Sequence, residues 1–259
     1  KIAPGVCGCG VSELDTDSDG TEDCIDGCPN DPNKTDPGTC GCGNPEIGSG
    51  CDDGDPCTTS DVVDGSCVCT GTLPTTYWNM GAATPTTTTL NNATVGGITR
   101  GNNLPAPGTN TLLNGTSAST TYPGFSGGNN AGVAARTGPL KIAGEESAYF
   151  EVTVTPAAGY IFTLSGISFG TRSTGTGPAN YAIRTSLDSY AASIATGSIT
   201  VTGNPWAFKS NTGLSTASPT GQALVIRIYG YGGAGSPGNN TTNWRIDDLT
   251  ITGCSVCQF

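Results

Sequence analysis

Residues 149–173 read YFEVTVTPAAGYIFTLSGISFGTRS. Apolar and polar side chains alternate with a period of two over residues 149–156 and over residues 160–173, and the break between these runs follows Pro156 and ends at Gly159. This period is typical of a strand that buries one face, and a break rich in Pro and Gly is typical of a turn. The stretch therefore predicts two antiparallel strands joined by a turn.

The same pattern extends through the carboxy-terminal two thirds of the chain, where no stretch shows a helical period of 3.6. Clear alternation occurs at 179–190, 223–232 and 243–253, and weaker strands are expected near 77–82, 94–99, 139–143, 196–202 and 206–210. Many short strands separated by Gly, Pro and Asn indicate an all-β fold, either a β-sandwich or a jelly roll. About 180 residues are enough to bury a core.

Composition divides the chain into an acidic head, residues 1–72, and a nearly neutral body, residues 73–259. The head has 15 acidic and 2 basic residues and ten of the twelve cysteines, whereas the body has 6 acidic and 8 basic residues. A net charge of -11 argues against nucleic acid as a partner, because phosphate contacts need Lys and Arg. No apolar run approaches the about 20 residues that a membrane helix needs, so no membrane insertion is expected.

The head contains an internal repeat. Residues 1–10 read KIAPGVCGCG and residues 34–43 read KTDPGTCGCG, an offset of 33 residues. Repeats of this length usually come in series, so we expect the chain to begin inside an array. A second acidic unit, CDDGDPCTTSDVVDGSCVC at 51–69, follows. The predicted domains are therefore 1–43, 44–72 and 73–259.

The cysteines occur in spaced pairs beside Gly and Pro, which indicates disulfides formed in an oxidising, extracellular compartment. Thiolate metal sites are the alternative, and the CxxC pair near the end of the chain would suit zinc, although the sequence has no histidine. The pairing cannot be read from the sequence. The predicted disulfide cysteines are Cys7, Cys9, Cys24, Cys28, Cys40, Cys42, Cys51, Cys57, Cys67, Cys69, Cys254 and Cys257.

Residues 15–26, DTDSDGTEDCID, have the spacing of a calcium-binding loop. Such loops place oxygen ligands at alternate positions around a sharp turn at a glycine, which here is Gly20. The flanking segments are rich in Gly and Pro, which break helices, so the loop is not an EF-hand. The predicted calcium ligands are the side chains of Asp15, Asp17, Asp19, Asp23 and Asp26 and the carbonyl of Thr21.

This part of the head resembles the thrombospondin type 3 repeat, a calcium-binding family. The motif residues that match are Asp15, Asp17, Asp19, Gly20, Asp23, Asp26, Cys28, Pro29 and Asn33. The resemblance implies a chain that wraps around calcium with little regular secondary structure and with disulfides between repeats. It also implies that Asn33 and Asp36 help to bind a second ion.

Two further stretches resemble parts of bacterial extracellular proteins. The unit at 51–69 looks like a cysteine-rich repeat of bacterial surface proteins, with weaker ligand candidates at Asp52, Asp53, Asp55, Asp61 and Asp64. SGISFGTRSTGTGPANYAIRTSLDSYAA (165–192) and NWRIDDLTITG (243–253) are similar to jelly-roll-like domains of bacterial extracellular proteins. The second resemblance implies a fold and no particular activity.

The sequence does not predict an enzyme. Without histidine the usual base of a hydrolytic triad is absent. Arg245 and Asp247 share a strand face, which predicts a structural ion pair. The body carboxylates show no paired motif for glycoside hydrolysis; they are Glu145, Glu146, Glu151, Asp188, Asp247 and Asp248.

Three aromatic residues are candidates for stacking on sugars. Trp206 follows Asn-Pro in an expected loop and is the best candidate for exposure, while Tyr229 and Tyr231 share a strand face. The alternative is that most aromatic residues fill the core of the sandwich.

These patterns favour a secreted, non-enzymatic protein whose head is made rigid by calcium. Its role would be a subunit of a surface layer, adhesin or filament that associates with copies of itself or with other surface proteins through open strand edges. The alternative is a carbohydrate-binding module of a larger secreted protein.

Overall fold

The computed structural model describes residues 5–103, 111–136, 138–143, 147–234 and 241–258. It divides into two compact units, Lys1–Thr72 and Leu73–Phe259, at the position where the composition changes. A further division of the head at residue 43 stays a prediction. Across the described ranges, no helix is long and apolar enough to cross a membrane.

The head consists of turns and one antiparallel hairpin, β1 (Thr59–Val63) with β2 (Cys69–Thr72). It has almost no apolar core, because Val63 is buried while seven other large apolar residues are exposed: Val6, Val11, Leu14, Ile25, Ile47, Val62 and Val68. Covalent bridges hold it instead, and each typically contributes about 2–4 kcal/mol. They are Cys7–Cys24, Cys28–Cys42, Cys40–Cys67 and Cys51–Cys69, and Cys57 is disulfide-bonded too.

The prediction that all twelve cysteines form disulfides is wrong for two of them, since Cys9 and Cys257 are free. Cys9 is the repeat equivalent of Cys42, which pairs with Cys28, 14 residues before it.

The CxxC pair near the end of the chain neither forms a local disulfide nor offers a zinc site. Cys254 and Cys257 are three residues apart on one regular strand, so their side chains leave opposite faces of the sheet. Cys254 is disulfide-bonded, whereas Cys257 is the free, half-buried thiol.

The body is all-β, as predicted, and a single 3₁₀ turn at Ser186–Asp188 is the helical structure in its described part. Its strands are β3 (Thr75–Trp78), β4 (Thr87–Thr88), β5 (Ala93–Val95), β6 (Thr99–Gly101), β7 (Leu113–Asn114), β8 (Asn130–Val133), β9 (Tyr149–Pro156), β10 (Tyr160–Ser173), β11 (Asn180–Thr185), β12 (Ala195–Ser198), β13 (Ala207–Ala217), β14 (Leu224–Tyr231) and β15 (Trp244–Cys257).

Two antiparallel sheets form a jelly-roll-like β-sandwich. Sheet one has the order β13-β10-β15-β3-β4, with β8 also pairing with β15 and with β7, and sheet two has the order β12-β11-β14-β9-β5, with β6 pairing with β9. Alternate residues point between the sheets and build one core. Its largest fully buried members include Trp78, Phe150, Phe162, Phe169 and Trp244.

The strongest period-two patterns coincide with the strands. β9 and β10 begin and end at the predicted residues. The prediction of a strand near 139–143 is wrong, since residues 138–143 contain only bends and a turn. Pro139 disfavours a strand there, because it has no N–H to donate to a neighbouring strand.

A β-bulge interrupts β15 in the middle of sheet one. Ser168 pairs with Thr250, but the next register pair joins Gly170 to Asp247, so β15 has one more residue than β10 between them. Asp248 lies in the bulge with a φ of 48°, a left-handed conformation that Asp adopts more readily than most residues. The bulge places two adjacent aspartates at the outer face of sheet one.

A close approach of two strands at Gly253 gives a test of this packing. A Cβ atom there would lie 2.4 Å from the carbonyl oxygen of Thr163 and 2.6 Å from the ring of Phe162. Because that backbone oxygen cannot move aside cheaply, we expect Gly253→Ala to lower the free energy of unfolding of the body by about 2 kcal/mol or more.

Urea unfolding followed by tryptophan fluorescence measures this, because all three tryptophans lie in the body. Gly175→Ala is the matched control, since its Cβ would meet nothing within 4 Å. Equal stabilities of the two variants would contradict the packing described.

Candidate functional site

The acidic loop of the head turns its carboxylates inward. Asp15, Asp17 and Asp19 are half-buried and alternate with exposed residues. One ligand oxygen of each lies within 4.8 Å of those of the other two. The turn is held by the Asp15 carboxylate, which accepts the backbone N–H groups of Ser18 at 2.7 Å and Gly20 at 3.0 Å.

Asp26 adds a fourth carboxylate to this region. It is only 8% exposed, and its Oδ1 accepts the Cys28 N–H at 2.7 Å. Its Oδ2 and the Oδ2 of Asp17 are buried without a hydrogen-bond partner among the described residues. Burial, together with the negative charges of Asp19, Asp26 and Asp15, raises the pKa of Asp17. Unpartnered buried carboxylate oxygens are costly, and a cation would remove that cost.

Asp23 and Asp36 are not members of the Asp15, Asp17 and Asp19 group. Asp23 accepts hydrogen bonds from the N–H and the hydroxyl of Thr16 at 2.8 and 2.6 Å, and Thr21 donates its N–H to Asp19 at 2.8 Å. Asn33 and Asp36 are exposed.

Sequence reasoning missed Asp31, which is buried in the second half of the same repeat. Its carboxylate accepts the N–H groups of Gly43 at 2.7 Å and Asn33 at 3.2 Å, and these bonds hold its pKa below the usual value. A possible signal was its place between two prolines in CPNDPN, where a carboxylate often organises a turn.

The second acidic unit brings three of its five candidates together. Ligand oxygens of Asp52, Asp53 and Asp61 lie within 4.8 Å of one another, and Asp61 Oδ1 is buried without a hydrogen-bond partner in the described part of the chain. Asp55 instead accepts the Cys57 N–H. Asp64 accepts the N–H groups of two residues in the turn between β1 and β2.

In the body, the bulge aspartates form a buried polar site. Asp247 is 0% and Asp248 is 4% exposed. Asp248 accepts hydrogen bonds from the hydroxyls of Tyr77, at 2.6 Å, and Tyr122, and from the Ser126 N–H at 3.1 Å. Asp247 accepts the Asp248 N–H at 2.8 Å.

The predicted ion pair between Arg245 and Asp247 is wrong. Ser126 covers Asp247, with its hydroxyl 3.4 Å from Oδ2. Arg245 donates from Nη1 to the Thr242 carbonyl at 3.2 Å. Its Nε has no partner among the described residues. The two side chains share a face but turn to different neighbours.

Burial controls the protonation of this site. It raises the pKa of Asp247 to about 7, and the adjacent negative charge of Asp248 adds to the increase. Burial and the hydrogen bonds to Asp248 also raise the pKa of Tyr77 and of Tyr122. Both phenols therefore stay protonated and act as donors.

An aromatic surface lies over this site, built from Tyr122, Phe125, Trp206 and Phe208. The hydroxyl of Tyr122 lies 2.1 Å from where a Cβ of Gly170 would be, so the missing side chain makes room for this ring. Tyr122 stacks on Phe208 with centroids 5.8 Å apart and meets Phe125 edge-on at 6.1 Å. Phe125 is 47% and Phe208 45% exposed.

The predicted sugar-stacking residues are less accessible than expected. Trp206 is only 7% exposed, because it packs against Tyr122 and donates Nε1–H to the Ser117 carbonyl at 3.1 Å. Tyr229 is buried beside Tyr149, and Tyr231 is half-buried.

The remaining body carboxylates belong to structural contacts or lie outside the described residues. Glu151 pairs with Arg227 at 2.6 Å, and Asp188 accepts the N–H groups that follow its 3₁₀ turn. Glu145 and Glu146 are not among the described residues.

No protein-family model matches this chain, and neither does a curated protein. Among solved structures, it is similar to a carbohydrate-binding module from Cellvibrio mixtus lichenase 5A in complex with cellotriose (17% identity, 55% of this chain, 90% of that chain, TM-score 0.28). It is also similar to the family 11 carbohydrate-binding module from Clostridium thermocellum (12% identity, 71% of this chain, 98% of that chain, TM-score 0.30). A third similar structure is the K1 cleaved adhesin domain of Lys-gingipain from Porphyromonas gingivalis W83 (12% identity, 60% of this chain, 98% of that chain, TM-score 0.28).

The raised pKa of Asp247 predicts a pH-dependent stability. The folded protein holds this proton more tightly than the unfolded chain, whose Asp pKa is near 3.8. Stability from this group is therefore fully present below about pH 4 and is lost as the pH rises to about 7, by about 4 kcal/mol.

We expect Asp247→Asn to remove this slope when the urea midpoint, read from tryptophan fluorescence, is plotted against pH. Asp188→Asn, which changes an exposed carboxylate, is the control and should keep the slope. A wild-type slope in Asp247→Asn would show that this carboxyl is not the group responsible.

Proposed function

We propose that the body is a non-catalytic carbohydrate-binding module and that the head is a calcium-stabilised extracellular segment. The observation that carries the first part is the pair of exposed phenylalanine rings, Phe125 and Phe208, held against Tyr122. The electron-rich face of an aromatic ring attracts the weakly positive C–H groups of a sugar. Rings fixed by packing lose little freedom when a ligand binds.

Polar groups border this aromatic surface. Ser126 is exposed and lies above the bulge aspartates, and the Thr121 hydroxyl is within 3.5 Å of the Trp206 carbonyl. An apolar platform with a few fixed polar groups is the usual composition of a small-ligand site.

A binding role is favoured over a catalytic one by the burial of the aspartates. Asp247 and Asp248 are covered by the segment that carries Tyr122 and Ser126, so neither carboxyl reaches a substrate. The hydrogen bond that Tyr122 donates to Asp248 instead holds its ring in position beneath the exposed rings.

Calcium binding by the head is supported by the donor set. Hard carboxylate oxygens gather at Asp15, Asp17 and Asp19, next to buried unpartnered oxygens of Asp17 and Asp26. Six to eight oxygen ligands are what calcium requires, and the Thr21 carbonyl would add to these carboxylates. A second site would use Asp52, Asp53 and Asp61.

Calcium would stabilise a segment that lacks a core, and the disulfides favour an oxidising, extracellular location. Assembly into a surface layer, adhesin or filament, whether with copies of itself or with other surface proteins, stays a prediction.

The calcium proposal predicts that Asp17→Asn combined with Asp26→Asn weakens the first site by at least about tenfold, because both unpartnered oxygens are altered. Isothermal titration calorimetry on the calcium-free full chain measures this. Asp188→Asn removes a charge from an exposed position on the body, outside both clusters, and should leave that affinity unchanged. Absence of any calcium binding by the wild-type chain would refute the proposal.

The carbohydrate proposal predicts that Phe125→Ala combined with Phe208→Ala removes most glycan binding, with a loss of at least about tenfold. A glycan array screened with the full chain identifies ligands, and affinity electrophoresis compares the variants. Leu187→Ala removes an equally exposed apolar side chain elsewhere on the body and is the control. Undiminished binding by the double variant would exclude this surface.

A further inference from the structure

Two arginines face each other on the outer face of sheet one. Arg172 of β10 and Arg245 of β15 are direct register partners. Side chains in such positions are about 5 Å apart at Cβ, and like charges directly opposite each other are destabilising. The fold nevertheless holds these two cations side by side.

Neither arginine has a carboxylate partner among the described residues. Arg172 donates Nε–H to the Asn204 carbonyl at 2.8 Å. Arg245 is 7% exposed, and its Nε is buried without a partner. Burial and the charge of Arg172 lower the pKa of Arg245.

Other arginines of the body are better satisfied. Arg227 pairs with Glu151, and its guanidinium carbon lies 4.1 Å and 4.0 Å from the ring centroids of Tyr149 and Tyr190. Arg184 donates to two carbonyls and a hydroxyl of the 190–193 segment. The Arg172–Arg245 pair therefore differs in that it places two positive charges side by side without a carboxylate partner among the described residues.

This pair borders the aromatic surface. Tyr122 packs on Gly170, which precedes Arg172 by two residues and therefore lies on the same face of β10. The register partner of Gly170 on β13 is Phe208. On the other side, Asn204 connects Arg172 to the loop that carries Trp206. A sugar ring lying on Phe208 would have an arginine at its edge.

We infer that the carbohydrate bound by the body is acidic, and that its carboxylate or sulfate groups are bound by Arg172 with Arg245 behind it. This inference rests on the carbohydrate-binding role proposed above. The half-buried guanidinium of Arg172 offers a planar fork of donors that matches both anions. Arg245 is too buried for its Nε to reach a ligand, so it contributes only its positive charge.

The test uses the calcium-loaded full chain and three polysaccharides: a polyuronate, a sulfated galactan and a neutral β-glucan. Arg172→Gln removes the charge and shortens the side chain but keeps a polar end. We expect it to weaken binding of an acidic polymer by at least about tenfold and to leave neutral glucan unaffected. Tighter binding of the polyuronate would indicate recognition of carboxylate groups, and tighter binding of the sulfated galactan would indicate recognition of sulfate groups.

Lys209→Gln is the matched control, because it also removes one positive charge. Lys209 follows Phe208 on β13, so its side chain lies on the opposite face of the strand, and this variant should bind the acidic polymer almost as well as the wild type. Salt provides a second measurement on the wild-type chain, independent of any folding defect in the variant. Raising NaCl from about 0.05 M to about 0.5 M should weaken acidic binding and spare neutral binding.

Binding of neutral glucan alone, or acidic binding that is insensitive to salt and to Arg172→Gln, would overturn this inference and leave the carbohydrate role intact. If no polysaccharide binds, the carbohydrate role itself is wrong.

Discussion

The pairing of β10 with β15 is the interaction on which the body depends. These strands share twelve register pairs and lie at the centre of sheet one. Their inner faces supply core residues such as Phe169 and Trp244, and their outer faces carry both candidate binding features. β3 pairs with residues 249–252 of β15 and β8 with residues 244–246, so neither continues past the bulge. The side chain of Asp248 fills this gap by binding Tyr77, Tyr122 and Ser126.

The head is organised by a different principle, in which aspartates replace apolar side chains. One oxygen of a carboxylate binds a nearby backbone N–H and fixes a turn, as Asp17 does with Asp19 and Asp26 with Cys28. The other oxygen of the same two carboxylates is buried and unpartnered. A single residue type thus shapes the loop and leaves negative charge pointing inward. Disulfides close the same loops covalently, so the local shape does not depend on an apolar core.

Local patterns explain which parts of the fold could be predicted from the sequence. The bounds of β9 and β10 were predictable because alternation is set by neighbouring residues. The burial of Trp206 and Tyr229 was not, because it depends on Tyr122 and Tyr149, which are distant in sequence. Spacing likewise predicted that Asp15, Asp17 and Asp19 gather, since the loop is local. Nothing in the sequence indicated that the hydroxyl groups of distant residues would hold Asp248.

The same limit applies to the Arg172–Arg245 pair, which exists only because two strands distant in sequence adopt one register. Its consequence for binding follows from charge. With a net charge of -11, the chain repels an acidic polymer at long range. Two arginines can overcome this repulsion only at contact distance, within the screening length of about 8–10 Å. An aromatic surface that holds the sugar ring beside them supplies that contact.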